Sequence, residues 1–336
     1  MQQGHMKEDD IRPERLKQDQ RISLLTDIGT LLSMRKDFVE ISCPACSSCN
    51  HQKTFEKNGF DYIMCAACDT LYMSPRPSPA VLELFYRNSE TYAFWNQHIF
   101  PATEAARRER IFIPRVDRAL EFCRKYQHVP KSLLDVGAAF GTFCSEMATR
   151  KVFERIVAVE PTPALARSCR EKGIETIEKP IEKVSFKEED KFDVIVSFEV
   201  IEHLFSPGDF IQQCGKLLTK KGILILTCPN NKGFDFVVLG SRCESIDHEH
   251  LNYFNPNSLG ILLNSCGFNI LECQTPGRLD AELVRKKILS GDFDVSEQPF
   301  LKRLLIEDWE TIGQQFQVFL SKNNLSSHMW VVATPA

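Results

Sequence analysis

The sequence predicts an α/β fold, a mostly parallel sheet covered by helices, with a small metal-bound module ahead of it. Three observations carry this. From Lys131 onward short apolar runs alternate with helical segments: LLDVG, FCSEMATR, RIVAVE, PALARSCREKG, TIEKPI, DVIVSF, DFIQQCGKLLT, GILILTCP. The first run breaks at LLDVGAAFGTF, Leu133–Phe143, where glycines turn a buried strand into a helix and leave backbone N–H groups free at the turn. Upstream, two C-x-x-C pairs, Cys43/Cys46 and Cys65/Cys68, have the layout of a four-thiolate site.

The 336 residues are 43% hydrophobic and 26% charged, enough for one large core plus an appendage, and the formal net charge is −4. A mildly acidic chain without a long basic run argues against tracking a nucleic-acid backbone, so no nucleic-acid partner is expected. No apolar stretch reaches the roughly 18 residues of a membrane span, and no signal-peptide pattern opens the chain. The expectation is therefore a cytoplasmic protein without membrane insertion. Cys123, Cys144, Cys169, Cys214, Cys228 and Cys266 fall in apolar segments and read as small buried fillers. MQQGH ahead of Met6 reads as extraneous to the fold, and His5 is set aside as a site residue.

In order along the chain, 1–40 is expected to be a charged, frayed tail followed by a short amphipathic helix, ISLLTDIGTLLSM. A zinc-binding ribbon is expected over 41–78, where one structural Zn²⁺ replaces a hydrophobic core that so short a segment cannot build. Its ligands would be Cys43, Cys46, Cys65 and Cys68, with Cys49 a substitute; iron–sulfur ligation and free thiols are the alternatives. Four thiolates leave no open position, so the metal would not be catalytic. Residues 79–130 supply an aromatic lid, with Tyr86, Tyr92, Trp95 and His98 as candidates, and lead-in helices. The core spans 131–276, and Glu160 ends its second strand, where an acidic tip can grip the two hydroxyls of a ribose. Two helical stretches form an insertion over 277–326, an acceptor lid or a homodimer surface, with Trp309 and Phe316 on one face. The final strand is 327–336.

From Lys131 to Phe268 the sequence resembles the class I S-adenosylmethionine-dependent methyltransferases. DVGAAFG resembles the family's glycine-rich loop, KFDVIVSFEVIEHL the strand and loop below the methionine moiety, GILILTCPN the next strand, and HLNYFNPNSLGILLNSCGF the stretch after it. The resemblance implies a Rossmann-like methyltransferase sheet closed by an antiparallel strand, HMWVVAT beside NILECQT, and S-adenosyl-L-methionine as cofactor. It implies cofactor contacts from Asp135, Gly137, Ala138 and Gly141, from Glu160 on the ribose, and from Lys179, Pro180 and Ile181 at the adenine edge. Phe198 and Glu199 would lie at the methionine ammonium; Glu199 and Glu202 also suit helix caps. A cysteine-rich module before such a core resembles the deoxysugar C-methyltransferases and related glycan-modifying enzymes, which implies a nucleotide-linked sugar or glycan acceptor and C- or O-methylation. The core also resembles quinone-biosynthesis methyltransferases, which implies O-methylation of a phenolic or quinone-like acceptor. A third reading makes the ribbon an RNA reader, although only Lys53 and Lys57 lie between its cysteine pairs.

Methyl transfer from an activated sulfonium requires alignment and, for a hydroxyl acceptor, removal of a proton. A histidine suits that step. His250, in DHEHLNYF, is expected to be the base, with His203 second and Tyr253 assisting; His98 and His248 are further candidates. The D-x-x-H spacing of Asp247 and His250, with His248 and Glu249 nearby, would alternatively suit a second metal.

Overall fold

A computed structural model describes residues 7–126, 129–184 and 190–336; MQQGH lies outside the described residues. The frayed tail expected over residues 7–20 is not observed. A helix runs over Glu14–Ser33, and ahead of it Glu8 is 1% exposed, held by Lys17 at 3.2 Å and Lys286 at 2.6 Å. The charges that read as solvated are matched by opposite charges from distant segments, which local sequence does not reveal.

Three antiparallel strands follow, β1 (His51–Lys57), β2 (Phe60–Cys65) and β3 (Leu71–Met73). Phe60 and Tyr62 are buried and Met64 half-buried, as their alternation predicts. Helices Pro79–Asn88, Phe100–Arg107 and Ile113–Tyr126 lead to the core.

The core strands are β4 (Ser132–Val136), β5 (Arg155–Val159), β6 (Glu175–Ile177), β7 (Phe192–Phe198) and β8 (Leu218–Pro229). After β9 (Asn252–Tyr253) come β10 (Phe268–Gln274) and β11 (His328–Pro335). The seven-stranded sheet has the order β10-β11-β8-β7-β4-β5-β6. Strands β8, β7, β4, β5 and β6 are parallel, and β11 is antiparallel to both neighbours, as expected for the closing strand. Both faces are buried, Leu134, Val157 and Ile195 in one cluster and Leu133, Val194 and Ile225 in another, which explains why these strands read as continuous apolar runs.

The cysteine-bearing module is not self-contained. Strand β9, two residues from the core half of the chain, pairs with β3 through Asn252↔Tyr72 and Tyr253↔Leu71 and completes a four-stranded sheet. Arg76, wholly buried, ties the same junction by donating to the Phe205 and Leu251 carbonyls and to Asn252 Oδ1.

The insertion between neighbouring strands β10 and β11 contains helices Asp280–Leu289 and Trp309–Lys322. Trp309 and Phe316 pack inward, Phe316 against Phe234 at 5.1 Å between ring centres. No helix among the described residues is long and apolar enough to cross a membrane.

Candidate active site

Sheet order reverses between β4 and β7, and the crevice beyond the carboxyl ends of such strands is where an α/β sheet binds ligands. A cavity of about 880 Å³ lies there. Its floor is the glycine loop. Gly137 has φ +82°, its N–H donates to Val159 O at 2.8 Å, and a β-carbon there would run into the Val200 side chain. Glu160 clamps the same loop, one carboxylate oxygen accepting from Ala139 N at 2.8 Å and the other from Thr162 N at 2.9 Å. Burial raises the pKa of Glu160 and pushes that of Asp135, which accepts from the Cys144 thiol at 3.3 Å, up to about 7.

Of the expected cofactor residues, Asp135, Gly137, Ala138, Phe198 and Glu199 line this cavity. Gly141, Glu160, Lys179, Pro180 and Ile181 do not. Gly141 caps the following helix at φ +69°, Glu160 is buried against the loop, Ile181 is buried in a short turn, and Lys179 and Pro180 face solvent. Tyr92 and Trp95 of the aromatic segment join the lining. Tyr86 instead reaches the His203 carbonyl at 3.5 Å, and His98 packs on Phe94.

The histidines expected to work as bases lie off the cavity wall. His203 and His250 pack ring against ring at 4.5 Å. Each Nδ1 faces a backbone carbonyl, Glu249 O at 3.1 Å for His203 and Ser245 O at 2.9 Å for His250, so each Nδ1 is the donor. Tyr253 is buried, its hydroxyl accepting from Asp247 N at 3.0 Å. His248 is 2% exposed between Phe60 and Phe85. Asp247 is occupied in accepting the N–H groups of Glu249 and His250. The metal-capable grouping differs from the expected D-x-x-H set: Glu202, His203 and His250 offer ligand atoms within 4.8 Å of one another, and neither oxygen of buried Glu202 has a hydrogen-bond partner among the described residues.

What does face the cavity is a pair of which sequence reasoning named Glu199 and missed His328. His328 Nε2 lies 2.9 Å from Glu199 Oε1, which also accepts from the Thr227 hydroxyl at 2.5 Å. Glu199 sits just past β7 with φ +56°, a left-handed conformation uncommon outside glycine. Burial raises the carboxyl pKa, but the charges of His328 and Arg115, with the Thr227 bond, hold it down at about 2. His328 is the first residue of β11, opposite Pro229 at the end of β8. An antiparallel strand begins at the edge where its parallel neighbours end, and that was the available signal.

The second candidate site is the cysteine cluster. Cys43, Cys46, Cys65 and Cys68 place their sulfurs within 4.8 Å of one another, with Cys43–Cys68 and Cys46–Cys65 each at 3.5 Å. The two pairs fold alike. Ser47 N donates to Cys43 O and Asp69 N to Cys65 O, and Ser47 and Asp69 have φ of +59° and +57°. Cys49 is exposed and outside the group.

A family model for a methyltransferase domain matches residues 105–273, half of the chain, and the chain belongs to that family. It is an S-adenosylmethionine-dependent methyltransferase. A ubiquinone biosynthesis O-methyltransferase of Rhodopseudomonas palustris is 24% identical over 246 residues, 67% of this chain and 92% of that one. Another bearing that name, from Actinobacillus pleuropneumoniae, is 29% identical over 159 residues, 43% of this chain and 67% of that one. Among solved structures, an S-adenosylmethionine-dependent methyltransferase from Clostridium acetobutylicum has 12% identity and a TM-score of 0.47, covering 73% of this chain and 99% of that one. The substrate is a small molecule, in keeping with a cavity of this size.

Proposed function

We propose that the enzyme transfers a methyl group to a hydroxyl of a phenolic or quinone-like small molecule, with His328 as the base and Glu199 as its orienting carboxylate. The observation that carries this is the 2.9 Å His328–Glu199 pair facing a cavity lined by Tyr92, Trp95, Phe112, Phe140, Phe198 and Trp330. The cofactor supplies the methyl group on an activated sulfonium. Asp135, Gly137 and Ala138, which line the cavity, would hold it, and Glu160, with both oxygens on the backbone of that loop and its neighbour, would fix the loop's shape. His328 takes the acceptor's hydroxyl proton as oxygen gains nucleophilic character, and ionised Glu199 offsets the imidazolium charge. The aromatic walls keep the reacting atoms aligned and water out.

The names of the two relatives favour oxygen and a quinone precursor over the nucleotide-linked sugar expected from the cysteine module. In that module we infer one zinc ion held by Cys43, Cys46, Cys65 and Cys68. Sulfurs about 3.8 Å apart are what Zn–S bonds of about 2.3 Å require in a tetrahedron, close to the 3.5 Å pairs here. The functional test is turnover with labelled cofactor against catechols, phenols and nucleotide sugars, with mass spectrometry of the product. A methyl ether on an aromatic hydroxyl is expected. Turnover of sugars alone, or a methyl group on carbon or nitrogen, would reject the reading.

A further inference from the structure

The cavity wall contains more positive charge than the transfer of a methyl group uses. Arg107 ends the helix Phe100–Arg107, Arg115 lies in the helix Ile113–Tyr126, and Arg278 sits between β10 and the helix Asp280–Leu289. Three separate segments thus each place an arginine in the lining of one cavity. None has a carboxylate within 4.0 Å among the described residues. Arg107 stacks over Trp95 at 4.7 Å and donates to Thr103 Oγ1 at 2.9 Å and Ile11 O at 2.5 Å. Arg278 donates to the Arg110 carbonyl at 2.5 Å, and Arg115 stacks over Phe198 at 4.5 Å. Neutral partners position these groups without cancelling their charge. Burial lowers the pKa of all three; Arg12 and Arg115 lower Arg107 further and Arg115 and Arg110 lower Arg278 further, whereas the carboxylates of Glu199, Asp135 and Glu202 raise that of Arg115. Arg107 is pushed down to about 9 and so remains cationic at neutral pH.

The acidic residues of the same wall lie away from Arg107 and Arg278. Asp117 pairs with Arg150, Glu121 acts on Arg118, Glu199 faces His328 and Arg115, and Asp280 is held by the neutral donors Gln317 and Ser327 N; none of them comes within 4.0 Å of Arg107 or Arg278. Asp135 and Asp235 are raised to about 7 by burial, which leaves each part-neutral. Like charges held together in a partly dry site lower their mutual repulsion when an anion enters. The methionine end of the cofactor would bring one carboxylate, and Arg115, in the field of Asp135 and Glu199, would be the arginine to meet it. Arg107 and Arg278 remain.

We propose that the methyl acceptor bears an anionic group, a carboxylate or a phosphate ester, and that Arg107 and Arg278 hold it. This rests on the aromatic-acceptor reading for its choice of probes. Planar guanidinium forks suit either anion. The test uses the full chain saturated with adenosylhomocysteine, titrated calorimetrically with catechol, 3,4-dihydroxybenzoate and phenyl phosphate. At least one anion should bind about tenfold or more tightly than neutral catechol, the equivalent of one charge-assisted contact. Arg107→Gln and Arg278→Gln should each remove most of that advantage and leave catechol binding unchanged. Tighter dihydroxybenzoate assigns a carboxylate, and tighter phenyl phosphate a phosphate ester. Catechol binding as well as both anions would overturn the proposal, as would equal weakening of all three probes in the variants. Should a variant fail to fold, wild-type anion affinity decides: it should fall with added salt while catechol's does not, and parallel salt dependence would also overturn it. Failure of the aromatic O-methylation reading is seen separately, in the methylated product.

Discussion

Asp235 shows how a single residue of the wall records its surroundings. It is 1% exposed, shares the Cys243 thiol at 3.5 Å and the Ser327 hydroxyl, and is pushed up to about 7 by burial and by the charge of Asp280. A carboxyl whose folded pKa is raised favours folding at low pH. Its contribution is full below the ordinary value near 4 and is lost as pH rises towards 7. Asp235→Asn keeps an acceptor oxygen but cannot ionise. Thermal unfolding of the variant against wild type should show a gap that shifts in the variant's favour between pH 4 and pH 8. About three pKa units set a ceiling of roughly 4 kcal/mol. A gap that is the same at both pH values would mean that Asp235 does not titrate upward. Nothing in the local sequence announces this residue, because its environment is assembled from segments some 45 and 92 positions away.

At the level of elements, the cysteine pairs were legible because each knuckle is local: four residues, one carbonyl, one left-handed residue after the second cysteine. The fourth strand of their sheet was not. Asn252–Tyr253 is too short to show a period, and its partner Leu71–Tyr72 lies far upstream. That strand changes what losing the metal should do. Cys43, Cys65 and Cys68 pack in one apolar cluster with Phe254, Leu263 and Leu226 of the core. Cys65→Ser should therefore release zinc, measured by metal analysis after dialysis, and also lower the melting temperature of the core by several degrees. A variant with metal lost and core melting unchanged would show the ribbon to be energetically separate. The frayed tail was misread for a related reason, since Glu8 is buried by Lys286 at the other end of the chain.

For the whole molecule, the alternation of strands and helices from Lys131 onward foretold the core, because hydrophobic period is a local property, while the antiparallel closing strand was implied by the family resemblance. The catalytic edge was half legible. Asp135, Gly137, Ala138, Phe198 and Glu199 lie at or just past strand ends that the pattern locates, and all line the cavity. His328 stands 129 positions from Glu199, with a helical insertion between, so only the closed sheet brings the two together. His250 and His203 lay where the pattern drew attention, yet they pack on each other behind the wall. The most direct test of the account is the pH dependence of kcat for wild type, His328→Gln and His250→Gln with a methylated phenolic acceptor in hand. Loss of the base at His328 should lower kcat by about 10² to 10⁴-fold, with adenosylhomocysteine affinity unchanged. His250→Gln should retain most of its turnover. Full activity in His328→Gln across pH 6 to 9, with the loss falling instead on His250→Gln, would contradict it.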